Sequence, residues 1–86
     1  MASNHYGGPI VLTEAFIPLS DLNVAMASIT IRAAIGIHVV RFGRPGGVQT
    51  GFLLSGEAHT FPNVSAKDVL VAGSDGDIVY WSGTGG

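Results

Sequence analysis

DVLVAGSDGDIVYWSG, residues 68–83, is the stretch whose reading decides the fold. Asp75-Gly76-Asp77 inside it suits either a calcium loop or a turn between two strands. An EF-hand-type loop needs oxygen ligands at alternate positions and a late bidentate Glu, in the pattern D-x-[DN]-x-[DN]-G-x₅-E. Here Asp75 lacks earlier acidic partners, and Asp77 runs straight into IVYW. Gly73, Asp75 and Gly76 are what a chain reversal requires, because glycine takes φ > 0 without penalty and Asp fits tight turns. The stretch therefore predicts two strands joined as a hairpin, with Gly76 as the residue at φ > 0. Tyr80 and Trp81 then point to opposite faces of the last strand. One fills the core, and the other meets a partner or sits at the rim.

Working outward, the same period of two recurs. In VAMASITIRAA (24–34), Ala25, Ala27, Ile29, Ile31 and Ala33 share one face, and Met26, Ser28, Thr30 and Arg32 the other. IGIHVVRF (35–42) follows with Ile35, Ile37 and Val39 opposite Gly36, His38, Val40 and Phe42. The break between them reads as a tight turn or a bulge in one bent strand. GRPGG (43–47) is a loop. VQTGFLLSG (48–56) places Val48, Thr50, Phe52 and Leu54 on one side, and EAHTF (57–61) is a short strand with Glu57, His59 and Phe61 on one face. PNVSAK (62–67) reads as a loop. PIVLTEAFIP (9–18) is an apolar run closed by prolines, which suit strand ends or an edge. Six to seven short strands with regular turn signals predict an all-β fold, a small antiparallel sandwich or barrel. The expected organisation is an extended N-terminal arm over residues 1–9, either a disordered terminus or an arm that orders against a neighbour with Tyr6 as its anchor, and a single β-domain over 10–86.

Composition bounds what such a domain can do. The chain has 86 residues, 47% of them hydrophobic, with 13 glycines, no cysteine and a net charge of −2. A domain this small buries only about 60–65% of its unfolded surface, so its own core is marginal. Charged residues make up 12%, against about 25% in a typical soluble domain. That is too few for a solvated skin, so much of the surface is expected to lie against other protein; the alternative is a poorly soluble monomer. The slightly acidic balance argues against nucleic acid as a partner. MASNHYGG (1–8) has no basic flank or apolar run and does not read as a signal peptide. Residues 22–40 are nearly long enough to span a bilayer, but Arg32 near the centre costs about 2.5–3.5 kcal/mol to insert. No membrane partner is expected.

Motifs for chemistry are sparse. Among His5, His38 and His59 there is no HxH and no helical i, i+4 pair, so no metal site is expected. No G-x-S-x-G surrounds a serine. Glu57 and His59 read as a surface pair. GRPGG lacks the GK[ST] of a phosphate loop. Arg41, just before it, and Arg44, within it, are either solvated loop arginines or partner contacts, since arginine forks onto carboxylates. Asn63-Val64-Ser65 is a chance match to a glycosylation sequon. No cofactor and no enzymatic activity are expected.

GFLLSGEAHTFPNVSAKDVLVAGSDGDIVYWSG (51–83) resembles a pattern in small structural proteins of tailed bacteriophages. Its features are the Ser55-Gly56-Glu57 turn, the strand DVLVAG, the Gly76-Asp77 turn and a last aromatic strand. The resemblance implies an all-β virion component that multimerises, as in head decoration, head spike or tail-fibre proteins. It implies a capsid-decoration or cement-type subunit made in the host cytoplasm, with the major capsid or another virion protein and its own copies as partners, as a trimer by the same analogy. The other class of function is a host-surface or glycan-binding module of a spike or tail fibre. The residues expected at the interface are Tyr6, Arg41, Arg44, Tyr80 and Trp81.

Overall fold

A computed structural model describes residues 4–21, 25–34, 38–46 and 48–85. The strands are β1 (Asn4–Val11), β2 (Ile17–Pro18), β3 (Ala25–Ala33), β4 (Val40–Arg44), β5 (Val48–Leu53), β6 (Ala58–Ser65), β7 (Leu70–Ala72) and β8 (Ile78–Gly85). A single 3₁₀ turn, Ala66–Asp68, stands between β6 and β7. The strands form two four-stranded sheets, in the orders β1-β8-β3-β6 and β2-β7-β4-β5, and every pairing is antiparallel. The fold is a small β-sandwich.

The pairings β1·β8, β2·β7, β3·β6 and β4·β5 describe one long antiparallel ribbon folded onto itself. Its tip is the β4–β5 hairpin, where Arg44 faces Val48, so Gly43 and Arg44, expected in a loop, are strand residues of β4. Rungs of the ribbon alternate between the two sheets. This is the strand order of a jelly roll, a double-sheet solution that buries one face of each sheet against the other.

The core follows from the alternation. The first sheet sends Ile29, Ile31, Val79 and Trp81 inward, and the second sends Val40, Phe42, Leu53 and Val71. Each such side chain stabilises the fold by about 1.5–3 kcal/mol. Leu12, Leu19, Val69 and Ala66 join the same cluster from the connecting segments. Ser65 is the sole buried polar residue among those described, so the space between the sheets is apolar.

The strands depart from the sequence reading in four further places. First, residues 70–72 and 78–85 do not form a hairpin: β7 belongs to the second sheet and β8 to the first. The turn between them carries an Asp77 N–H to Ser74 C=O bond of 3.0 Å, with φ +88° at Gly76. Positive φ at the third turn residue and not at the second is the type II pattern. The hairpin turns need φ > 0 at the second residue, and Asp75 does not supply it. Second, Met26 rather than Ala25 or Ala27 is buried, because the β3–β8 register shifts between Met26 and Ser28. Met26 pairs with Val64 and Ile29 with Phe61, and all four point inward. Third, β6 continues to Ser65 through residues expected to be a loop. Pro62 is tolerated there because β6 is an edge strand. Fourth, β1 starts at Asn4, so the expected boundary between residues 9 and 10 falls inside a paired strand. The expected alternation over residues 35–37 lies outside the described residues.

The Gly76 turn gives a first prediction. An added Cβ at Gly76 meets nothing within 4 Å, so any cost is in the backbone. Gly76→Val is expected to destabilise by about 1–3 kcal/mol through strain at φ > 0, and Asp75→Asn to cost little. The register of β8 should survive both, since β1 and β3 hold it on either side. Denaturant melts with and without chelator check this; a larger loss for Asp75→Asn, dependent on calcium, would reverse the assignment.

Candidate functional site

The buried residues among those described are apolar apart from Ser65, so the candidate sites are on the outer faces. The outer face of the second sheet carries the richer site. On β4, Arg41 stands directly between Ala72 of β7 and Phe52 of β5. Neighbouring cross-strand residues share a face, so the guanidinium and the Phe52 ring rise from the same side. Residues 12–16 run beside β7, tied by a Gly73 N–H to Thr13 C=O bond of 2.8 Å. That places Glu14 and Phe16 next to Arg41. The Arg41 Nη2 donates to the Glu14 carbonyl at 3.0 Å, and the guanidinium carbon lies 5.6 Å from the centre of the Phe16 ring. One carbonyl and one aromatic face thus hold this cation in a fixed pose.

Beyond Arg41 the face opens into a cleft of about 610 Å³ lined by Glu14, His38, Val39, Leu54, Ser55 and Ser74, among others. Three large apolar side chains stand exposed around it: Val39 at 46%, Phe52 at 57% and Leu54 at 50%. At its end, Asp77 Oδ2 accepts from the His38 backbone N–H at 3.2 Å and lies 3.0 Å from His38 Nδ1. The side-chain and backbone bonds from His38 hold the Asp77 carboxyl below its ordinary value of 3.8. A carboxylate with a lowered folded pKa stabilises the fold above its unfolded value and loses that contribution as pH falls through the folded one. The stability gap between wild type and Asp77→Asn should therefore be open at neutral pH and close as acid protonates the carboxylate of the folded state; a gap unchanged by acid in paired denaturant melts would contradict it.

The outer face of the first sheet is different. Rows of cross-strand neighbours read Ala58–Arg32–Tyr80–Pro9 and Thr60–Thr30–Ser82–Gly7. Tyr80 is 49% exposed, and Val11, opposite Ile78 at the end of this face, is 61% exposed. The rest of the face is mainly small or hydroxylic, with Thr30 and Thr60 hydroxyls 2.9 Å apart.

The five residues expected at an interface are thus dispersed. Arg41 lies at the cleft and Arg44 is exposed at the β4–β5 loop. Tyr80 is exposed on the opposite sheet. Tyr6 is half-buried against the core from edge strand β1. Trp81 is buried and is a core residue instead, because β8 turns its odd-numbered side chains inward at Val79 and Trp81. Glu57 does not pair with His59. Its carboxylate accepts from the Leu54 N–H at 2.7 Å and closes the Ser55-Gly56 turn, while His59 stacks on Phe42 with ring centres 4.8 Å apart. Val39, Phe52, Leu54 and the His38–Asp77 pair were not singled out from the sequence. The run Phe52-Leu53-Leu54 held the signal, since three consecutive apolar residues on a strand must turn at least one toward solvent or a partner.

Among the described residues there is no group of three His, Cys, Asp or Glu side chains placed to hold a metal ion, and no helix is long and apolar enough to cross a membrane. Fold and surface together define a jelly-roll sandwich with an apolar interior and two exposed apolar patches, one on each sheet. Comparison with protein-family models, with curated proteins and with solved structures gave no match.

Proposed function

We propose that this chain is a structural subunit of a virus particle, a capsid-decoration or cement-type protein that stabilises the shell through protein–protein contacts. The observation that carries the reading is the exposed cluster of Val39, Phe52 and Leu54 around Arg41, in a chain with only 12% charged residues. An apolar centre with an arginine and few other charges has the make-up of an interface core. The jelly-roll order supports the same reading by analogy, because viral coat domains use it, although the fold alone assigns no function. The resemblance of residues 51–83 to small phage structural proteins supports it too. In this account the second-sheet face meets the major capsid or another virion protein. The Tyr80–Val11 face meets further copies of the chain, as a trimer by that resemblance. Neither nucleic acid nor a membrane is a partner.

Empty capsids from the parent virus provide the test. Added chain is expected to bind them and raise their resistance to heat. Shells whose heat resistance is unchanged at saturating protein would remove the proposal.

A second reading, a host-surface or glycan-binding module, draws on the sheet face next to the cleft, where the exposed Phe52 pairs with Arg41. Lectin domains also use jelly rolls. Binding of the isolated oligomer to cells or glycans, without binding to shells, would favour it.

A further inference from the structure

Arg41 carries a feature that the fold does not use up. Its guanidinium has five donors in a planar fork. One goes to the Glu14 carbonyl, and one face lies against Phe16. Among the described residues no carboxylate forms an ion pair with it. The two contacts fix the side chain without neutralising it. Such a fork matches a carboxylate through two parallel N–H···O bonds. Phe52 stands immediately beside it on β5, and Leu54 and Val39 continue the apolar rim.

We infer that the second-sheet cleft is a receptor for a partner protein segment that presents an Asp or Glu next to a large apolar residue. The carboxylate docks on Arg41, and the apolar side chain lies over Phe52 and Leu54. Charge complementarity selects this occupant. Beside Arg41 the surface is apolar at Phe52, Leu54 and Val39, and a neutral or basic segment lying over these side chains would cover the guanidinium without a counter-charge. Asp77 does not compete, since His38 already holds it at 3.0 Å. Glu14 supplies its backbone carbonyl to Arg41, and its exposed side chain stands at the rim. The inference rests on the reading that this face meets another protein, and it adds what chemistry that protein must offer.

The probe is a pair of blocked dipeptides, acetyl-Glu-Phe-amide and acetyl-Gln-Phe-amide, titrated into the ¹⁵N-labelled chain by NMR. The Glu peptide is expected to shift the Arg41 Nε–H and the Phe52 and Leu54 amides, and to bind about tenfold more tightly than the Gln peptide. Arg41→Gln should abolish that difference and leave the remaining spectrum in place. Arg44→Gln should preserve it. Equal binding of the two peptides would overturn the inference, as would Glu-peptide shifts centred on Arg32 or Arg44. Tighter binding of N-acetylneuraminic acid than of the Glu peptide at the same resonances would overturn a protein partner. Loss of self-association in Arg41→Gln would seat a second copy in the cleft and overturn an external one. A chain that discriminates the peptides yet ignores capsids keeps this inference and loses the particle reading; one that binds capsids but treats the peptides alike does the reverse.

Discussion

Trp81→Ala is expected to destabilise the protein by about 3–5 kcal/mol, the usual loss for a buried tryptophan. Trp81 is 8% exposed and lies on β8 between Gly8 of β1 and Ile31 of β3, so its ring fills the middle of the first sheet's inner face. Small domains fold with roughly 5–15 kcal/mol in hand, and an 86-residue chain sits toward the lower end. The variant should be close to its unfolding midpoint in water or beyond it. Tyr80, one residue earlier, gives the contrast. Its ring leaves the opposite face, so Tyr80→Ala should change the melting of dilute protein by no more than about 0.5 kcal/mol. Self-association, not folding, is what it should weaken. Urea melts of the two variants read this directly, and equal losses would mean that β8 does not divide core from surface as described.

The second large effect is where β4 and β5 of one sheet pack on β6 of the other. Phe42 from β4 packs edge-on to Phe61 at 5.3 Å and stacks on His59 at 4.8 Å, both from β6. Gly51, paired with Phe42 on β5, lies against the same ring: a Cβ added there would come 2.8 Å from Phe42 Cε1. Phe42→Ala should cost about 3–5 kcal/mol through loss of burial and the cavity left behind. Gly51→Val should cost about 1–3 kcal/mol through overpacking, because the ring is held on two sides and has little room to retreat. The two losses should not add. With the ring removed, the valine enters the vacated space, and the double variant should be more stable than the sum of the singles by about 1 kcal/mol or more. Strict additivity in a double-mutant cycle would contradict the close approach of Gly51 to Phe42.

How far the sequence reveals this fold depends on which physical signal each element leaves. Strands such as 25–33 and 78–82 are legible because alternation of side chains is imposed by the pleat itself. Alternation does not say which sheet a strand joins. Residues 73–77 satisfy the glycine chemistry of a hairpin and of a crossing equally well. The outcome turns on φ at Asp75, which residue type alone does not fix. The shift at Met26 and Ser28 is similarly silent, since Ala25 and Ala27 fit the inward face as well by pattern. Pro62 reads as a loop residue until the strand is known to be an edge.

The site divides in the same way. Arg41 stands out from scarcity, being one of four basic residues in the chain. Its setting does not, because Glu14 and Phe16 reach it from a segment more than 20 positions away in sequence, as the numbering shows. His38 and Asp77 meet across 39 positions. Contacts of that range are products of the sheet order and leave no local trace. Tyr80 and Trp81 show the remaining ambiguity: their alternation is certain, but which of them faces inward is settled only by the neighbours on β1 and β3.

The central claim is that this β-sandwich is made to be covered by other protein, and sedimentation equilibrium of the purified chain tests it most directly. The exposed Tyr80 and Val11 of the first sheet, with the low charge, predict a folded species at a multiple of 8.8 kDa. That mass should fall toward the single-chain value when Tyr80 and Val11 are both replaced by serine. A wild-type chain that sediments as one stable, fully folded 8.8 kDa monomer at working concentration would contradict the account.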